Sequence, residues 1–200
     1  MLLVLAVGCG GSDRHESSGI GLSIDSGTVR IHCGGADCSA FIGPDEGGFV
    51  VDVERTIDGR PQELRRVVQE LNDVEIQTGD GNDHVLFMDV IVPGTVHVAT
   101  GAGDDLVDFC DAGALGDTRI GTGPGNDLVN LAVQVFARLF EVDLGDGDDE
   151  LGIDGSNFQG EIRLDGGAGD DTLDAGADVQ HAAHLAGFER CVSGSCPVPE

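Results

Sequence analysis

One six-residue cluster of glycine and aspartate recurs along this chain at an unbroken interval of 22 residues, starting at Thr78, Thr100, Thr122, Leu144 and Gly166. The copies read TGDGND, TGAGDD, TGPGND, LGDGDD and GGAGDD, with Gly at the second and fourth places and Asp at the sixth in every one. A fixed interval of this size marks stacked repeats, in which each unit buries its apolar face only against its neighbours. Two residues beyond each sixth-place Asp stand Val85, Val107, Val129, Leu151 and Leu173, and two further on stand Phe87, Phe109, Leu131, Ile153 and Ala175. That period-2 alternation describes a strand with one buried face. A second strand follows in each unit, with Val96, Thr118, Phe140 and Ile162 in one row and Val98, Ile120, Val142 and Leu164 in the next. The expected fold is all-β, a parallel β-solenoid of 22-residue coils with two strands and two turns each. Between the rows of the second strand lie His97, Arg119, Glu141 and Arg163, which should stack outward about 4.8 Å apart as a solvated charged face.

The solenoid repeats span residues 76–175, between less regular ends. Residues 1–20 contain an apolar start and then, from Gly10, a stretch of Gly, Ser and charge that reads as a flexible tether. Residues 21–75 form an N-terminal cap. Leu22 with Ile24, Val29 with Ile31, and Phe49 with Val51 and Val53 alternate as strands there, and the Asp58-Gly59 dipeptide suits a tight hairpin turn. After Pro61, the spacing of Leu64, Val67, Val68 and Leu71 predicts a short amphipathic helix. Residues 176–200 form the C-terminal cap. Covers of this kind are needed because the end of a solenoid is otherwise an open sheet edge.

Composition narrows the partners. The net charge is −27, every basic residue is Arg, and there are 33 Gly but no Trp or Tyr, so the core is expected to be thin aliphatic layers. Such an acid excess opposes nucleic acid or an anionic membrane surface as partner and favours cations.

The glycine turns resemble the nonapeptide repeat GGxGxDxUx of the RTX, or hemolysin-type, calcium-binding β-roll proteins. Gly166 to Asp174, GGAGDDTLD, fits all nine places, while the other copies carry Thr or Leu at the first. The family's usual coil has such a turn on both sides, whereas this one has a single turn per coil, so calcium is expected along one edge. The resemblance implies Ca²⁺ bound between successive turns, four sites between five turns, held by Gly79, Gly81 and Asp83; Gly101, Gly103 and Asp105; Gly123, Gly125 and Asp127; Gly145, Gly147 and Asp149; and Gly167, Gly169 and Asp171. Asp171, in the last turn, would then have a metal-sharing neighbour on one side only. The chemistry is consistent. Calcium takes six to eight oxygen ligands in flexible geometry, glycine lets backbone carbonyls turn inward, and carboxylates stacked about 4.8 Å apart repel by roughly 3 kcal/mol at an effective dielectric near 20. Asp104, Asp148 and Asp170, with Asn82 and Asn126, either assist as ligands or form turns; Asp80 and Asp146 are read as solvated. Magnesium wants a rigid octahedron, and His15, His32, His84, His97, His181 and His184 show no repeating zinc spacing.

Cysteines occupy the same frame at both ends. Cys33 to Cys38 and Cys191 to Cys196 each place Cys at the first and sixth positions of a six-residue turn. A terminal turn cannot sandwich an ion fully, so a disulfide is expected to close each one, contributing about 2 kcal/mol by loop entropy. Cys110 is left over, beside Met88 in the repeat frame. The start, MLLVLAVGCGGSD, resembles the end of a bacterial lipoprotein signal. That resemblance implies lipidation at Cys9 and an exported protein at the cell surface or outer membrane.

The expected function is that of a noncatalytic calcium-binding lipoprotein. Neither HExxH nor GxSxG is present. The alternatives are a polysaccharide-active enzyme on a parallel β-helix, disfavoured by the lack of Trp and Tyr platforms, and an adhesin for an unnamed protein or glycan.

Overall fold

A computed structural model describes residues 20–57, 60–132, 135–176, 179 and 184–192. Within them the chain is an all-β parallel solenoid. The leading section contains β1 (Gly21–Asp25), β2 (Thr28–His32), β3 (Cys38–Asp45), β4 (Gly48–Ile57) and β5 (Arg60–Val68). The first full coil is β6 (Asp73–Asp80), β7 (His84–Met88) and β8 (Ile91–Val92), and the second is β9 (Val96–Ala102), β10 (Leu106–Cys110) and β11 (Gly113–Ala114). The third is β12 (Thr118–Pro124), β13 (Leu128–Ala132) and β14 (Val135–Phe136); the fourth is β15 (Phe140–Asp146), β16 (Glu150–Asp154) and β17 (Asn157–Phe158). The last strands among the described residues are β18 (Ile162–Asp165), β19 (Asp171–Ala175), β20 (His184–Ala186) and β21 (Phe188–Cys191).

Like strands of successive coils pair in parallel at the expected register. Val107 faces Val85 and Val129, and Thr118 faces Val96 and Phe140. An eight-stranded sheet in the order β1-β2-β6-β9-β12-β15-β18-β20 and a nine-stranded sheet in the order β21-β19-β16-β13-β10-β7-β3-β4-β5 result. The coil has a third side. Strands β8, β11, β14 and β17 form a four-stranded sheet of their own, so each full coil carries three strands rather than two. Two residues are too few to show alternation, and this is why the sequence pattern misses them.

The core departs from purely aliphatic layers as well. Val92, Ala114 and Phe136 on the third side are fully buried. Phe87 stacks on Phe109 with ring centroids 4.5 Å apart, Phe109 meets Phe136 edge-on at 5.8 Å, and Phe136 packs against both Phe140 and Phe158. Repeat stacking alone would place rings only above rings of the same row. Phe136 lies on the third side, and it links the Phe87–Phe109 stack to Phe140 across the coil interior.

The N-terminal section joins the solenoid before capping it. Strand β2 pairs in parallel with β6, placing Val29 on Val74 and Ile31 on Ile76, and β3 pairs in parallel with β7. Strands β3, β4 and β5 then run antiparallel. The helix expected after Pro61 is instead β5, paired residue for residue with β4 from Phe49 opposite Val68 to Ile57 opposite Arg60. Pairing wins because β4 offers a nine-residue edge, whereas the helical spacing would bury one face of a single short helix. Leu64 therefore lies half-buried, Val68 and Leu71 close over the core, and Val67 points outward. Asp58 and Gly59 lie outside the described residues.

Candidate functional site

The glycine turns sit at one edge of the solenoid, between the eight- and nine-stranded sheets. Their second- and fourth-place glycines all adopt positive φ, for example +97° at Gly123 and +149° at Gly125. Close approach makes a second demand. A Cβ on Gly125 would fall inside the carbonyl oxygen of Gly103, and one on Gly123 inside that of Gly101. Glycine is thus dictated by conformation and by stacking together.

Three side-chain ladders run along the turns. At the first place, the hydroxyls of Thr78, Thr100 and Thr122 are buried and each donates to the next turn's first-place carbonyl, at 2.9, 3.1 and 2.7 Å. At the fifth place, the N–H of Asp104 donates to Asn82 Oδ1 at 3.1 Å, that of Asn126 to Asp104 at 2.9 Å, that of Asp148 to Asn126 at 2.9 Å and that of Asp170 to Asp148 at 3.0 Å. The sixth-place ladder runs the other way. The N–H of Asp83 donates to Asp105 Oδ1 at 2.8 Å, and Asp105, Asp127 and Asp149 repeat this toward Asp127, Asp149 and Asp171 at 2.8, 2.7 and 2.9 Å.

Fifth-place side chains thus tie one turn to the next. The sixth place is different. Asp83, Asp105, Asp127, Asp149 and Asp171 are at most 3% exposed, and the Oδ2 of every one is buried with no hydrogen-bond partner. An unpaired buried acceptor, charged at that, is costly. Burial accordingly pushes Asp105 and Asp149 up to about 6, against an opposing pull from the backbone N–H each accepts. Burial raises Asp83, Asp127 and Asp171 as well. In the three threonine turns the hydroxyl lies beside the sixth-place carboxyl, but its single proton is committed to the next turn's carbonyl. While that proton is held by the carbonyl, Oδ2 has no donor, although the nearby hydroxyl still pulls Asp83, Asp105 and Asp127 down against burial.

Two occupants can satisfy it, a proton or a cation. A hard divalent ion fits the column in that each gap between turns is bordered by two buried carboxylates, with glycine carbonyls held against the following turn. The remainder of a six- to eight-oxygen shell would come from backbone carbonyls and water. The sixth-place carboxylates form no convergent group of three among the described residues. Among the described residues the one group of three convergent acids is Asp52, Glu54 and Glu63, within 4.8 Å of one another on β4 and β5. Sequence reasoning missed that group because only the antiparallel register of β4 on β5 assembles it. Arg65 already partners Asp52 at 2.9 Å.

The ends of the column are closed differently. Cys33 and Cys38 form the expected disulfide, Cα to Cα 6.3 Å, and their turn stacks on the first glycine turn, the N–H of Cys38 donating to Asp83 Oδ1 at 2.7 Å. Buried Arg55, opposite Cys38 on β4, donates Nη1 to the Cys33 carbonyl, and its Nε has no partner. At the other end Cys191 is disulfide-bonded, while Cys196, its expected partner, lies outside the described residues. There the N–H of Asp171 donates to Glu189 Oε2 at 2.9 Å, so the last glycine turn does have a carboxylate beyond it. Cys110 is a free thiol opposite Met88, raised by burial and by Asp108, Asp111 and Asp89. Cys9 lies outside the described residues, and among those described no helix is long and apolar enough to cross a membrane.

No family model, curated protein or solved structure matches this chain.

Proposed function

We propose that this chain is a noncatalytic calcium-binding protein, exported and held at the cell surface by a lipid on Cys9, in which Ca²⁺ between successive glycine turns stabilises the solenoid. The observation that carries the calcium reading is the column of five fully buried sixth-place carboxylates, each with an unpartnered Oδ2. Like charges at this spacing need a counter-charge, and among the described residues none of the five carboxylates is in a salt bridge, each Oδ2 being unpartnered. The carboxylates are bound into backbone ladders and closed off from solvent, an arrangement suited to structure rather than turnover. Ion counting on the purified chain, with circular dichroism across a calcium titration and after chelation, tests this reading. Bound calcium with strand signal gained on addition is the expected result; a fully folded spectrum at submicromolar free calcium with no bound metal overturns it. Lipidation is tested separately, by mass spectrometry of the exported chain, where an unmodified Cys9 would refute it.

A proton is the competing occupant. The specific observation in its favour is that burial brings Asp105 and Asp149 to about 6, so a metal-free column can hold protons just below neutral pH. The chain would then be a solenoid stabilised by acid rather than by calcium, and stability measured against pH with chelator present separates the two.

A further inference from the structure

The sixth-place ladder has a direction, and that direction identifies what each turn needs. Every N–H in it donates to a carboxylate of the following turn, so the last glycine turn, Gly166 to Asp171, needs an acid from the closing segment. That segment, Ala186 to Glu189, lacks the Gly and Asp spacing of the repeat. Glu189 supplies the acid nonetheless. Asp171 faces Phe188 and Thr172 faces Arg190, so Glu189 is the extra residue of a bulge, where its longer side chain reaches back to the Asp171 N–H at 2.9 Å. Gly187 takes φ +70°, and a Cβ there would strike the Gly167 backbone nitrogen, repeating the close glycine stacking of the turns before it. Asp171 is fully buried and its Oδ2 has no partner, the condition shared by the four sixth-place carboxylates before it.

We infer that Asp171 and Glu189 border a further calcium position, so that the ion row runs one step past the last glycine turn. This rests on the calcium reading above and fixes where the row stops. At the opposite end, the gap before Asp83 has Cys38 in place of a second carboxylate, and buried Arg55 brings a covalently tethered cation beside it. The row thus begins after Arg55 and finishes at Glu189. Glu189 is exposed, unlike the buried acids before it, so its position is the most open to water and the weakest of the row.

The test is calcium counting and titration on the full chain beside Glu189→Gln, whose amide oxygen still accepts the Asp171 N–H while the charge is gone. Five ions are expected for the parent and four for the variant, the weakest site being lost. Amide exchange supplies the second readout: calcium should slow exchange at Asp171 and across Phe188–Cys191 in the parent and not in the variant, whereas a merely structural role for Glu189 would change exchange equally with and without calcium. Four ions in both proteins, or equal protection of that segment by calcium in both, overturns the inference and leaves the calcium reading standing. No ions in either protein overturns both.

Discussion

Two columns of charge run along this solenoid at the same 22-residue interval, and they differ in nearly everything else. On the outer face of the eight-stranded sheet the row Glu75, His97, Arg119, Glu141 and Arg163 mixes signs, with Arg30 added before it. Arg30 meets Glu75 at 3.2 Å, Arg119 meets Glu141 at 3.1 Å, and Arg163 meets Glu141 at 3.6 Å and Glu161 at 2.9 Å, with side chains between a third and a half exposed. At the glycine edge the row is five carboxylates of one sign, all buried. The outer row neutralises itself in water, where each pair contributes about 0 to 1 kcal/mol. The inner row cannot, because water is excluded and no opposite charge alternates with it. Periodicity alone therefore says nothing about the worth of a charge; the solvent around it decides.

The largest effect that would break this comparison is steric. Gly125→Ala puts a Cβ into the Gly103 carbonyl at φ +149°, while Gly121→Ala, on the outer face, meets nothing nearer than the Asp143 oxygen at 4.0 Å. Gly125→Ala should cost about 3 kcal/mol or more, and Gly121→Ala at most about 0.5 kcal/mol, in urea or thermal unfolding. Equal losses would mean that the tight stacking at the glycine edge does not exist.

Next comes pH. A carboxyl whose folded value is raised binds more protons folded than unfolded, so its protonation favours the fold at low pH and that advantage is lost as pH rises from the unfolded value of 3.8 to about 6. With chelator present, stability should therefore fall between about pH 4 and pH 6.5, by at most about 3 kcal/mol each for Asp105 and Asp149, less where water reaches the turns. Calcium should flatten this slope by binding the ionised form. Unfolding midpoints across that window, with and without calcium, check the sign.

Asp127→Asn sharpens the contrast further, because its sign should depend on the ion. Without calcium the substitution removes a buried charge flanked by Asp105 and Asp149 and should stabilise at pH 7.5 by about 1 kcal/mol. With calcium it removes a ligand shared by two gaps and should destabilise by about 2 kcal/mol and weaken cooperativity between the remaining sites. The same sign in both conditions would show that the column meets no metal.

Much of this was legible beforehand, for a physical reason. Rows such as Val85, Val107, Val129, Leu151 and Leu173 occupy one environment repeated, so a single pattern reads out many residues, and the same frame placed the Cys33–Cys38 staple. Features outside the frame were not legible. The third side rests on two-residue strands; Arg55 arrives from an antiparallel strand that no repeat predicts; and Glu189 reaches its place only because a bulge shifts the register by one. Strand β5 shows the opposite failure, in which Leu64, Val67, Val68 and Leu71 carry a helical spacing that pairing with β4 overrides.

The smallest expected effect tests the outer row on its own terms. Arg119 bonds Glu141 at 3.1 Å and reaches Asp117 at 3.5 Å, while Glu141 also faces Arg163, so each charge keeps a second partner when the first is removed. Arg119→Ala and Glu141→Ala should each cost at most about 0.5 kcal/mol, and a double-mutant cycle should return a coupling of a few tenths of a kcal/mol that fades in high salt. Neither variant should change the number of calcium ions bound, since this face points away from the glycine turns. A coupling of about 2 kcal/mol that persists in salt would mean that the outer row is shielded from water in the native assembly, by a partner lying along that face, and the distinction between the two columns would then be one of occupant rather than of solvent.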